Sequence, residues 1–143
     1  IIARALDSIA NIEFRDLDLA RGQYLYLVRI AEQPGMIQEE LSEVLKVDRS
    51  TVARSVKKLE ERGLIQQRPR GENLKIKEWE KGKQIYPFIL GEHLYSEKTA
   101  LKGFSKEEVA QLEEYLIRVR ENITLDWELV KKGQKRNYSE VKQ

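Results

Sequence analysis

The chain has no cysteine and one histidine, His93. Disulfides and thiol-based redox sensing are therefore excluded, and little remains for a zinc site, whose usual ligands are Cys and His. The missing cysteines fit a reducing cytosol, so a cytoplasmic location is expected. No apolar run approaches the roughly 20 residues that span a bilayer, and no signal peptide is visible, so no membrane partner is expected. No Gly-rich phosphate loop is present, and His93 has no evident triad. An enzyme is not expected, no catalytic or metal-binding residue is assigned, and no cofactor is called for. The doublets Glu60-Glu61 and Glu113-Glu114 read as solvating charges on helix surfaces. The net charge is only +2 over 143 residues, which excludes a strong global field toward nucleic acid. No methionine opens the chain, so further residues are expected before Ile1.

What is present is mostly helix. Only Pro34, Pro69 and Pro87 punctuate the chain. Helical spacing of Ile2, Leu6 and Ile9 predicts a first helix to about residue 15. A second, from about Arg21 to Glu32, places Tyr24, Leu27, Val28 and Ala31 on one face and stops at Pro34-Gly35. A third, from about Gln38 to Leu45, is expected to bury Leu41, Val44 and Leu45. Lys46-Val47 forms a turn, and Asp48 caps a fourth helix that ends at Gly63. "LIQQR" and "NLKIKEW" read as strands joined through "RPRGE", with Leu74 and Ile76 alternating against Lys75 and Lys77. A long helix follows from about Gly82 to Ala100, with Pro87 near its start or kinking it. Ser105-x-x-Glu108 is a capping box for a last helix to about Lys131, and the final dozen residues are expected to be loose.

The fourth helix is the informative one. Val52, Val56 and Leu59 fall on one face, with Ala53 at its edge. Ser50, Arg54, Lys57 and Lys58 fall opposite, with Thr51 flanking. The aliphatic face can pack on Leu41 and Leu45, which makes a helix-turn-helix whose polar face is free to enter a major groove. Residues 46–58 carry Lys46, Arg49, Arg54, Lys57 and Lys58 against Asp48 alone, and residues 62–77 carry Arg62, Arg68, Arg70, Lys75 and Lys77 against Glu72 alone. Residues 105–131 reverse this, with four basic and seven acidic side chains. The near-neutral total thus hides one basic face, as double-stranded DNA would require. A winged-helix protein–protein module, whose basic face meets an acidic partner, is the alternative.

The end helices point to self-association. Val109, Leu112, Leu116, Val119, Ile123 and Val130 repeat at alternating spacings of three and four, with Asp126 the one break and Trp127 beside the seam. Such a stripe wants a partner helix. With Ile2, Leu6 and Ile9 of the first helix, these residues form the expected homodimer interface. The predicted architecture is mostly α with a small β-hairpin wing. A helix-turn-helix lobe covers residues 21–83, and residues 1–20 and 84–143 form a helical dimerisation region.

These stretches resemble the MarR/SlyA family of winged-helix transcriptional regulators. The likeness rests on "RGQYLYLVRIAEQPGMIQEELSEVLKVDRSTVARSVKKLEERGLIQQR" at 21–68, "EKGK" at 80–83 and "GFSKEEVAQLEEYL" at 103–116. The resemblance implies a dimeric regulator with recognition helices in the major groove of a pseudo-palindromic operator and wings near the minor groove. It also implies modulation by a small aromatic or lipophilic ligand, often an anion, for which Arg21, Tyr24, Tyr26 and His93 are the candidate lining. Arg49, Ser50, Thr51, Arg54, Lys57, Lys58, Arg68, Arg70, Lys75 and Lys77 are the candidate DNA contacts, with Arg70 at the wing tip. Two departures stand out. Lys46 occupies a turn where the family usually has Gly. The wing "RGENLKIKEWEKG" lacks the usual Asp-x-Arg and following Thr and is a few residues short, so residues omitted between about Glu78 and Glu80 are expected.

Overall fold

The structure, a computed structural model, describes residues 1–138, with only the backbone of Arg70. Helix α1 (Ile2–Glu13) runs into a 3₁₀ turn (Phe14–Leu17), and then come α2 (Gln23–Glu32), α3 (Gln38–Leu45) and α4 (Arg49–Glu61). Strands β1 (Ile65–Arg70) and β2 (Asn73–Glu78) precede α5 (Glu80–Ala100) and α6 (Lys106–Lys131). Residues Ile1–Ala100 form one compact unit, and the chain from Leu101 forms a second. Among the described residues no helix is long and apolar enough to cross a membrane.

In the first unit the core joins α2, α3, α4, the hairpin and α5 through Leu27, Ile30, Leu41, Val52, Val56, Leu59, Leu64, Ile65, Ile76 and Ile89, all fully buried. The turn between α3 and α4 is tight. Lys46 takes φ 56°, ψ 45°, the left-handed conformation that normally selects glycine. The Ser42 hydroxyl donates to the Val47 carbonyl at 2.7 Å, and the Val47 N–H returns a bond to the Ser42 carbonyl at 3.2 Å. These two bonds close the corner that sets α4 against α3.

Several expectations need correction. Val44 is 45% exposed, whereas Leu41 and Ser42 are the buried residues of α3. Leu74 is likewise exposed, while Ile76 is fully buried. Only the root of the hairpin reaches the core, so alternation along β2 does not mean burial along its length. Strand β1 continues through Pro69 and Arg70, and the turn is just Gly71-Glu72, with Gly71 at φ 59°, the positive φ that such two-residue loops need. Helix α2 begins at Gln23, two residues late, because Gly22 at φ 79° interrupts the approach. Helix α5 begins at Glu80, which leaves Pro87 inside it.

Strand β2 passes directly into α5. The Trp79 N–H donates to the Leu64 carbonyl at 3.0 Å, and the Lys83 N–H to the Trp79 carbonyl at 2.9 Å. On its other edge β2 meets the loop after α2. The Gly35 N–H donates to the Ile76 carbonyl, and the Ile76 N–H to the Met36 carbonyl, both at 2.8 Å. At the strand end burial pushes the Glu78 carboxyl up, opposed by Lys83, and one of its oxygens is buried without a hydrogen bond.

The second unit is dominated by α6. Its capping box is present: the Ser105 hydroxyl accepts from the Glu108 N–H at 3.1 Å, and the Glu108 carboxylate accepts from the Ser105 N–H at 3.0 Å. Asp126, the break in the apolar stripe, holds Arg136 at 2.9 Å, and the Arg136 guanidinium stacks over the Tyr138 ring. The tail expected to be loose is therefore tied back to α6 as far as Tyr138, and residues 139–143 lie outside the described residues.

Candidate nucleic-acid interface

Helix α4 separates its two characters cleanly. Val52, Val56 and Leu59 are 0% exposed, while Ser50, Arg54, Lys57 and Lys58 face solvent and Thr51 is half-buried. At the leading end the Asp48 carboxylate accepts from the Thr51 N–H at 2.9 Å and from the Ser50 and Thr51 hydroxyls at 2.6 Å each. Thr51 Oγ1 in turn accepts from the Arg54 guanidinium at 3.2 Å. A relay of bonds thus holds three candidate contacts in order before any partner arrives. The Ser50 and Thr51 hydroxyls, followed by the Thr51 N–H, hold the Asp48 carboxyl well below the usual carboxylate range.

The sign of that shift makes a prediction. A carboxyl depressed in the fold contributes stability above its unfolded value of about 4, and the contribution is lost as pH falls further. In urea titrations from pH 6 to 2, wild type should lead Asp48→Asn at the top of the range, and the gap should close below about pH 4. A gap independent of pH would remove this role for Asp48.

Two candidate cations carry partners. Arg49 pairs with Glu39 of α3, and Lys57 lies 4.0 Å from Glu61. All four side chains are largely exposed, so neither pair is worth more than about 1 kcal/mol, and an arriving phosphate can displace it.

In the hairpin, Gln66 lies opposite Lys77, Arg68 opposite Lys75 and Arg70 opposite Asn73. Alternation therefore places Arg68, Lys75 and Lys77 on one face of the wing. Like charges directly opposite, as at Arg68 and Lys75, weaken a ladder, which suits a surface that meets an anion. Arg68 donates to Gln66 at 2.9 Å and stays exposed. Lys75 is less free than expected, because its aliphatic stem packs over Gly35. The side chain of Arg70 lies outside the described residues. Arg62, counted with the hairpin in the sequence, turns away and holds Asp18 at 3.3 Å.

The expected interface stripes are exposed or half-buried. Ile2, Leu6 and Ile9 of α1 are exposed, as are Leu116, Val119, Ile123 and Val130 of α6. Val109, Leu112 and Trp127 are half-buried, the Trp127 indole N–H has no acceptor, and no residue of α6 is buried.

Of the four candidate ligand residues, two come together. Tyr24 and His93 line a crevice of about 500 Å³ between α1, α2 and α5, with ring centroids 5.9 Å apart. Tyr26 is buried in the core, and Arg21 stands outside the crevice, 3.5 Å from Asp7. Asp7 and Glu92 also line it. Tyr24 donates to Asp7 at 3.3 Å, and its phenol is pushed up to about 12, first by burial and then by Asp7 and Glu92. Asp7 and Glu92 thus put two carboxylates beside the aromatic walls, with Arg21 against Asp7.

A helix-turn-helix whose second helix is polar outward, followed by a two-stranded wing, defines a winged helix-turn-helix. The MarR family profile matches residues 19–77. The HTH-type transcriptional regulator YybA of Bacillus subtilis (strain 168) is 59% identical over 141 residues, covering 96% of this chain and 94% of that protein. A putative MarR family transcriptional regulator from Listeria monocytogenes, crystallised in complex with 26mer DNA, is 51% identical. Its superposition gives a TM-score of 0.91 over 96% of this chain and 93% of that one. The transcriptional regulator SlyA is 52% identical, with a TM-score of 0.84 over 90% of this chain and 93% of that one. The chain belongs to the MarR family of transcriptional regulators.

Proposed function

We propose that this chain is a dimeric, sequence-specific DNA-binding regulator acting in the cytoplasm. In this reading residues 21–83 are the DNA-binding lobe, and residues 1–20 and 84–143 form the dimerisation region. Each α4 enters the major groove of a pseudo-palindromic operator, with Arg49, Ser50, Thr51, Arg54, Lys57 and Lys58 toward DNA. The wing lies near the minor groove, with Arg68, Arg70, Lys75 and Lys77. A two-fold axis sets the recognition helices about 34 Å apart, one turn of the double helix. Solved relatives of half-identical sequence, one of them bound to DNA, support this. The observation that carries it is α4 itself: a pre-ordered Ser/Thr/Arg face set on an apolar face with no exposure at Val52, Val56 or Leu59.

The crevice at Tyr24 and His93 is the effector site of this reading. Its aromatic walls with Asp7 and Glu92 suit a neutral or cationic aromatic molecule better than an anion. Such a ligand acts only if it favours one spacing of the lobes over another.

The test is selection of bound duplexes from random DNA, followed by affinities over a salt series. One inverted repeat should emerge, with affinity falling steeply as salt rises. Arg54→Ala should cost about 1–3 kcal/mol on the selected site if it reads a base. Salt-independent binding, or no preference among duplexes, would favour a protein–protein module.

A further inference from the structure

The cationic face does not end with α4. Arg15, in the 3₁₀ turn that continues α1, is exposed and lines the same groove of about 420 Å³ as Lys58 and Arg62. Lys58 stands one helical turn beyond Arg54 on the outward face of α4. The two acids lining this groove already have partners: Asp18 holds Arg62 at 3.3 Å, and Glu61 lies 4.0 Å from Lys57. Among the described residues neither Arg15 nor Lys58 takes part in an ion pair.

The turn is also held in place. The Arg62 guanidinium donates to the Leu17 carbonyl at 3.5 Å and to Gln23 Oε1 at 3.4 Å. Gln23 Oε1 accepts from the Ala20 N–H at 2.8 Å as well. Arg62 thus binds the trailing end of α4 to the link between α1 and α2, so Arg15 is presented at a set position beside Lys58.

We infer that Arg15 contacts the sugar-phosphate backbone of DNA next to Lys58, so that the end of α1 is part of the nucleic-acid interface. The inference rests on α4 being the DNA-binding helix. The groove supplies unpaired cations on an open surface, which matches the chemistry of a phosphodiester and carries no information about base identity.

The test uses the full chain and a selected duplex, with anisotropy read between 50 and 200 mM salt. One phosphate contact contributes about 0.9 to the slope of log affinity against log salt. The proposed dimer carries two copies of Arg15, so across that fourfold range wild type should lose about 12-fold more affinity than Arg15→Ala. Arg15→Lys should keep the wild-type slope, a rescue that a purely structural role would not produce. Arg29→Ala, at an exposed arginine of α2 paired with Glu32, should also keep it. Arg15→Ala should weaken matched and mismatched duplexes alike. A wild-type slope in Arg15→Ala, with wild-type binding intact, would overturn this inference alone. Wild-type protein with no salt-sensitive duplex binding would overturn the reading of α4 with it.

Discussion

Gly82→Ala should lower the melting temperature by about 10 °C. A Cβ built on Gly82 would stand 2.0 Å from the Leu64 carbonyl oxygen and 3.1 Å from its carbon. No rotamer relieves this, because the obstacle is backbone. Leu64 and Ile65 are both buried, and the same carbonyl already accepts from the Trp79 N–H. The first turn of α5 would have to lift by about 1 Å from β1, separating surfaces that close the core. Overpacking costs about 1–3 kcal/mol even where side chains can adjust, so about 3 kcal/mol or more is expected here. At this chain length that is a shift of roughly 10 °C at fixed protomer concentration. Gly91→Ala is the control, because nothing lies within 4 Å of its added carbon. Alanine there should raise stability by about 0.5–1 kcal/mol through helix propensity alone. Thermal melts followed by circular dichroism should thus move in opposite directions for two identical chemical changes in one helix. A Gly82→Ala protein that melts with wild type would mean that α5 does not approach Leu64 this closely.

The second large effect concerns α6. Leu116→Asp should leave the protein folded and abolish the proposed dimer. Leu116 is 56% exposed and Ile123 63%, along a 26-residue helix that buries none of its residues. An apolar stripe of that length left in water calls for a partner. A two-fold axis would bring two copies of each substitution into one interface. Each unpaired carboxylate costs several kcal/mol to desolvate, so the dimer dissociation constant should rise by about 10³ or more. Light scattering after size-exclusion chromatography reads this directly. Affinity for an inverted repeat should fall with it, because a monomer holds a single half-site. Leu116→Met should behave as wild type, since it conserves volume and apolarity. A Leu116→Asp protein that remains dimeric at low micromolar concentration would place the interface elsewhere.

Helix α4 was readable in the sequence because one period explains both faces: grease at 52, 56 and 59, and hydroxyls and cations between. Its boundaries were readable because Asp48 and Gly63 have local reasons to stand there, and Gly63 takes φ 72°. What failed shares a cause. Arg62 was counted with the hairpin, yet its guanidinium reaches Leu17, 45 positions away. Arg15 was overlooked because Asp16 and Asp18 cancel it in any linear charge count, although in space Arg62 takes Asp18. Val44 and Leu74 have the right residue type on the right element, but nothing folds over them. Periodicity says which side of an element is apolar, and only the tertiary structure says whether anything covers that side. Gly82 lay in a recognised "EKGK", but its reason is a carbonyl eighteen positions back that no local pattern marks. The two faces of α4 were therefore legible in the sequence, while the contacts that distant segments make with its ends were not.

The pairing of Ile76 with Met36 has a consequence for evolution. The hairpin and the segment entering α3 are yoked by two main-chain bonds, and main-chain bonds do not depend on which side chains flank them. Residues at either place can drift while the hairpin and the segment entering α3 keep their spacing.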